Sequence, residues 1–289
     1  MDAKSLRNRN TMKKILFIAD FFKEELPGGG ESNDHNLIKF LAKKHNVTLC
    51  KSDKFSVSKV DKADIVIVAN FVAMAKSAKD YLIRNKKYII YEHDHKYVNT
   101  RDPSKFNNFS IPVEHLINEN FYKKAHCVVV LSKVCKEILQ LNIPEAKVHN
   151  IGCSLWSKKT FRKLKRLSAN KKTKDLCIMK NSNPTKNYIN TIKYCEEKKI
   201  NYEEIASNNY HEFLEKISKY EKLLFLPTVL ETFSRLCAEA KMLDTKVMTN
   251  KKLIGFFSEE YSKLSGLQLI SKIEEKNQKA LQFFEDLIC

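Results

Sequence analysis

One stretch constrains this chain more than any other. Leu223–Asn250, LLFLPTVLETFSRLCAEAKMLDTKVMTN, is an apolar run closed by Pro227, then a polar turn, a helix-period segment from about Ser234 to Leu243, and a second β-type run, KVMT. Strand, loop, helix, strand is the repeating unit of a parallel α/β sheet. Seven residues separate Glu231 from Glu239. With the first in the loop and the second two turns into the helix, both carboxylates can face one crevice at the carboxyl end of the strands, where open α/β sheets bind ligands. Two acids beside a helix N-terminus suit the hydroxyls of a sugar or ribose. The same spacing also describes ordinary surface glutamates on an amphipathic helix, so the rest of the chain has to decide.

Most of that chain repeats the pattern. KKILFIADFF is apolar on successive residues, which reads as a strand buried on both faces. NVTLCKS, DIVIVANF, KYIIYEHDHKYV and CVVVLS follow as strands, with helices AMAKSAKDYLIRN and KVCKEILQLN among them, the second capped by Ser132 and ended by Pro144. Three of the six glycines, Gly28, Gly29 and Gly30, stand together after the first strand. That placement predicts a loop where backbone approaches a ligand or takes a positive φ, with a helix opening near Asn33. The pattern is not G-x-G-x-x-G, so no dinucleotide fingerprint is met. At the exit of the fourth strand stand Glu92, His93, Asp94 and His95. Polar residues there are functional candidates, and histidine is the side chain suited to act near neutral pH. Neighbours on an extended chain point to opposite sides, which argues against chelation of a metal by His93 and His95 together.

A length of 289 residues favours two domains, and 43% hydrophobic residues suffice for a core in each. The expected division is 1–156, a basic linker 157–174, and 175–289. No apolar run has the length of a membrane helix and the leader MDAKSLRNRN is polar, so a soluble, cytoplasmic protein is expected. The eight cysteines are scattered, without Cys-x-x-Cys or His/Cys metal spacing, and read as buried thiols. The net charge is +18; residues 157–174 carry nine basic and no acidic residues, whereas 175–289 carry 17 of each. The excess lies in the first half and the linker, where Lys158, Lys159, Arg162, Lys163 and Arg166 are candidates for holding phosphates. A solvated helix with Phe161, Leu164 and Leu167 as its apolar stripe is the plainer reading.

The segment from Pro227 through Glu231, Thr232, Phe233 and Ser234 to Glu239 resembles the donor-binding motif of retaining GT-B glycosyltransferases, particularly glycosyltransferase family 4. There a Gly-Phe-Gly turn follows the first Glu; here Thr232 and Ser234 replace the glycines. The triple glycine, the His93/His95 strand exit and the loop ending at Lys186 fall in the order this family requires. The resemblance implies two Rossmann-like domains facing across a cleft, the second binding a nucleotide-sugar and the first the acceptor. It implies that Glu239 meets the ribose, Glu231 the donor sugar, and His93 or His95 the sugar from the other domain. Gly29, Gly30 and the backbone around Phe233, with Lys186, would lie near the diphosphate. In the family's Gly-Arg-x-x-x-x-Lys loop the Arg position is taken by Asn181, with Lys180 beside it, so the cation must come from Lys180 or the linker or be absent.

The implied co-substrate is a nucleotide-sugar, with a UDP-sugar first in expectation, and no metal, because basic side chains and a helix dipole serve the leaving diphosphate. For the acceptor the basic surface suggests a polyanion, best a hydroxymethylated base in DNA, turned out of the duplex to reach the cleft. The alternatives are a cell-surface glycan or a lipid-linked acceptor, with basic residues resting on anionic headgroups. A degenerate, non-catalytic relative that binds nucleotide or nucleic acid is a further reading, supported by Asn181 and the lost glycines.

Overall fold

In a computed structural model, which describes residues 12–26 and 28–289, the apolar runs form two all-parallel sheets. The polar leader, residues 1–11, and Pro27 lie outside the described residues. The first sheet has six strands: β1 (Lys14–Ala19), β2 (Asn46–Lys51), β3 (Ile65–Val68), β4 (Tyr88–Tyr91), β5 (Cys127–Val130) and β6 (Val148–Asn150), in the order β2-β1-β3-β4-β5-β6. Strands β3, β4 and β5 are buried at every position, which explains why they read as continuous apolar runs. The second sheet is built from β7 (Lys174–Met179), β8 (Glu203–Ile205), β9 (Tyr220–Leu224) and β10 (Lys246–Met248), in the order β10-β9-β7-β8. Two Rossmann-like units therefore stand side by side.

Helices α1 (Gly29–Leu41), α2 (Val57–Lys62), α3 (Lys76–Asn85), α4 (Glu119–Lys124) and α5 (Lys133–Asn142) belong to the first unit. The joining segment is helix α6 (Lys158–Leu167), which buries Phe161, Leu164 and Leu167 as its apolar stripe. The second unit adds α7 (Tyr188–Glu197), α8 (Tyr210–Ile217), α9 (Arg235–Met242) and the 23-residue α10 (Gly266–Ile288). Helix α10 returns to the first unit. Phe284 meets Tyr91 edge-on at 4.9 Å, Phe283 stacks on His149, and Glu285 pairs with Lys44. One buried cluster runs without a break from Ile15 and Phe17 through Trp156 to Phe233 and Phe284, so the two units share a core.

Two local expectations are corrected. Helix α1 opens at Gly29, four residues before Asn33, and the triple glycine is its cap and first turn. Gly30 does not take a positive φ, and a Cβ there would make ordinary contacts with Asn70 and His93 at 3.6 Å. Ser132 does occupy the N-cap position of α5, but its hydroxyl makes no cap bond and donates instead to the Thr232 carbonyl at 2.7 Å. The cap comes from the second unit: Lys133 N donates to Glu259 Oε1 at 2.7 Å and Val134 N to Ser258 Oγ at 3.1 Å. No described helix is long and apolar enough to cross a membrane.

Candidate functional site

The segments leaving the carboxyl ends of β1 and β4 meet the turn that follows β9: Gly29 approaches Arg235, and Thr232 bonds the His93 carbonyl. On the first side, Gly30 lies against His93, and His93 Nε2 is 2.8 Å from Asp34 Oδ1 on α1. A carboxylate oxygen accepts, so Nε2 carries the proton. The ring packs edge-on against Tyr91, with centroids 4.1 Å apart. Glu31 is buried beside this pair, 3.5 Å from Asn70 Nδ2; burial, reinforced by Asp34, pushes its carboxyl above the usual range.

His95, two residues on, is placed differently. It sits 1% exposed in the left-handed region (φ 50°) with Nδ1 3.2 Å from the Tyr97 hydroxyl, so it does not face the cleft. Burial lowers its pKa to about 4 despite Glu92 and Asp102 nearby, so it is a neutral core imidazole. Beneath the loop Glu92 accepts from Lys96 at 2.6 Å, from the Asp94 N–H at 2.7 Å and from the Tyr122 hydroxyl. Burial alone would raise the Glu92 carboxyl; Lys96 and these donors overcome it and hold it at about 2.

On the second side, the turn after β9 carries Glu231, whose Oε1 accepts from Lys186 Nζ at 2.6 Å. Its backbone is fixed by bonds to Leu253 and Gly255. The Thr232 hydroxyl donates across the units to the His93 carbonyl at 3.1 Å, a bond glycine could not make. Ser234 keeps a glycine-like backbone, with φ 65°, at the N-cap of α9. The Phe233 ring is core, buried edge-on against Phe256 and Trp156, and offers the site only its peptide. Lys180 is exposed and leans 3.4 Å from Glu204, while Asn181 shapes its loop by accepting from Asn183 N at 2.8 Å.

Glu239 is 3% exposed. Its Oε1 accepts from Trp156 Nε1 at 2.8 Å and from the Tyr210 hydroxyl at 2.5 Å, and lies 3.3 Å from Arg235 Nη2. The Arg235 guanidinium donates to the Leu155 carbonyl at 2.6 Å, stacks 4.5 Å over Trp156, and reaches to Gly29, whose missing Cβ would stand 3.5 Å from Arg235 Cδ. A half-buried cation thus lies where the glycine turn meets the N-terminus of α9.

The basic face of α6 is partly spent. Lys163 and Arg166 both pair with Glu215, whereas Lys158, Lys159 and Arg162 are exposed and, among the described residues, have no ion-pair partner. Among the described residues, folding brings one potential metal-ligating trio together, His45, Glu285 and Cys289, with ligand atoms within 4.8 Å of one another. His45 Nδ1 accepts from Lys13 N at 3.3 Å, so Nε2 is the protonated nitrogen facing Glu285 and has no lone pair for a metal.

This architecture has solved counterparts. Anabaena HepE, in complex with UDP and glucose, superposes with a TM-score of 0.52 at 13% identity over 95% of this chain and 100% of that one. Sucrose-phosphate synthase from Thermosynechococcus elongatus gives 0.59 at 9% identity over 95% and 99% of the two chains. The catalytic domain of starch synthase IV from Arabidopsis thaliana, bound to ADP and acarbose, gives 0.53 at 8% identity over 96% and 99%. The fold is GT-B. No protein-family model and no curated protein matches the sequence.

Within this GT-B cleft the structure gathers Gly29, Gly30, His93, Lys186, Glu231, Thr232 and Ser234. Packed behind them are Asp34, Trp156, Tyr210 and Arg235, which the sequence did not single out. Of these only Asp34 left a trace, as an acid on the inward face of a helix beside Leu37 and Leu41.

Proposed function

We propose that this chain transfers a sugar from a nucleotide-sugar donor to an acceptor hydroxyl. The observation that supports it most is the meeting of Gly29, Gly30 and His93 with Glu231, Thr232 and Lys186 across one cleft of a GT-B fold. In this reading Lys186 and the N-terminus of α9 receive the diphosphate. Glu231 and His93 hold the donor sugar, and Glu239, oriented by Trp156 and Tyr210, meets the ribose. His93 takes the sugar-facing role in preference to the buried His95. Transfer breaks the bond from the anomeric carbon to the phosphate oxygen and forms one to the acceptor oxygen. The acceptor proton passes to the leaving phosphate on the same face, which retains configuration. UDP-sugars are the first donors to try, since HepE was solved with UDP-glucose as well as with UDP and glucose.

The test is release of nucleoside diphosphate from UDP- and ADP-sugars. Turnover by the wild type and its loss in Glu231→Ala is expected; no release from any donor would sink the transferase reading and favour the non-catalytic one. For the acceptor we propose a hydroxymethylated base in DNA, supported by the uncompensated Lys158, Lys159 and Arg162 on α6 and by the basic first half. Nucleoside mass spectrometry after incubation with hydroxymethylcytosine DNA should show an added sugar mass. Its absence, with transfer to a glycan or lipid-linked acceptor instead, would replace this acceptor.

A further inference from the structure

The first side of the cleft holds three buried polar atoms without a hydrogen-bond partner among the described residues: His93 Nδ1, Asp34 Oδ2 and the Tyr91 hydroxyl. They belong to one cluster. The Tyr91 ring packs on the His93 ring, Asp34 Oδ1 accepts from His93 Nε2, and Gly30 keeps a side chain from filling the space beside the imidazole. Buried polar atoms are almost always paired, so three orphans together ask for a partner from outside the chain.

Asp34 decides what that partner is. It is 1% exposed on α1, and the His93 side chain is 4% exposed, so the pair is shielded from competing water. By accepting from Nε2–H, the carboxylate selects, of the two neutral tautomers, the one whose bare Nδ1 lone pair is presented as an acceptor. A bare imidazole nitrogen suits a hydroxyl hydrogen and rejects a phosphate oxygen. The ring has little freedom to turn: Tyr91 packs on it, and its backbone carbonyl is held by the Thr232 hydroxyl.

We propose that Asp34 is a positioning residue: it holds His93 so that Nδ1 accepts a hydrogen bond from a sugar hydroxyl of the bound substrate. The role of the sugar rests on the transferase reading; the orientation of the ring does not.

The experiment labels the histidines with nitrogen-15 and reads the ring shifts at about pH 9, above the ordinary histidine range, with His93→Gln identifying the resonances. In the wild type His93 should show a protonated Nε2 and a bare Nδ1. Asp34→Asn, whose amide can donate to Nε2, should reverse the two. The same substitution should lower kcat/KM for the donor by roughly tenfold to a hundredfold, with Asp34→Glu recovering part of it.

A wild-type ring with bare Nε2 overturns the proposal whatever the activity. A reversed tautomer with unchanged kcat/KM overturns the role in turnover. Should Asp34→Asn fail to fold, the wild-type spectrum still decides the orientation, and Asp34→Glu kinetics decide the role. A wild type that turns over no donor sinks the transferase reading and the sugar partner with it, leaving the tautomer result to decide the orientation.

Discussion

The two histidines of the strand exit have opposite fates, and acid separates them. His95 is enclosed by Glu92, Lys96, Asp102, the Tyr97 hydroxyl and the backbone of Leu230, and burial holds its pKa at about 4 against an ordinary 6.5. A histidine depressed in the folded state binds its proton in the unfolded chain first. Stability is therefore full above the unfolded pKa and lost as pH falls from about 6.5 toward 4, with nothing further lost below that. At 1.36 kcal/mol per pH unit the gap is worth roughly 3 kcal/mol. Glu92, held at about 2, also destabilises on acidification, but lower, from about 4.5 downward. Glu31 and Asp94, both raised by burial, act in the opposite sense. A difference between two proteins isolates His95. His95→Asn suits the left-handed backbone and cannot titrate. Urea unfolding at about pH 7.5 and about pH 4 should show the gap between wild type and His95→Asn moving by roughly 3 kcal/mol in favour of the variant at acid pH. A movement below about 1 kcal/mol would refute the buried neutral imidazole.

Four further outcomes are expected. Lys96→Met leaves the Glu92 carboxylate buried without its cation and should cost roughly 3–5 kcal/mol of unfolding free energy, whereas a cost under about 1 kcal/mol would mean that the pair is not desolvated. Glu259→Gln weakens the cap that the second unit places on α5 and should cost about 1 kcal/mol by urea unfolding; no change would show that water caps Lys133 as well. Gly255→Ala drives a Cβ into the Thr232 carbonyl and the Ser132 hydroxyl, so both stability and donor turnover should fall, and a variant normal in both would contradict the packing of this turn. Lys186→Ala should raise the donor KM roughly tenfold with a smaller loss in kcat; an unchanged KM would remove Lys186 from the diphosphate.

What could be read from the sequence was whatever one element decides by itself. The run IVIV is fully buried in β3 because a parallel strand covered on both faces needs no alternation, and α9 begins one residue from its expected start. The pairing of Lys186 with Glu231 was within reach because both follow strands of one sheet, β7 and β9, which are neighbours. Contacts between elements distant in the chain were out of reach. Asp34 lies 59 residues from His93, and Trp156 lies 83 from Glu239. Such pairs depend on how distant elements pack, within the first unit for Asp34 and His93 and between units for Trp156 and Glu239, and on side-chain rotamers, which leave no period in the chain. The same cause explains α1: without His93 against it, nothing marks Gly30 as a helical residue rather than a loop residue.

Thr232 and Ser234 make the coupling of the units most explicit. Ser234 pays for its left-handed backbone with about 1 kcal/mol that glycine would not incur. Thr232, by contrast, gains the bond to the His93 carbonyl, while its own carbonyl accepts from Ser132 Oγ and Leu230 N donates to Asp102 Oδ1 at 3.2 Å. At roughly 1 kcal/mol net for each such bond, parting the units at this turn costs about 3 kcal/mol before any apolar surface is exposed. The turn that carries Glu231 is therefore also the fastening between the two sheets. Any ligand that widens the cleft there must supply comparable energy through its own contacts. A group able to replace the Thr232–His93 bond while satisfying His93 Nδ1 would supply part of it at the same atoms.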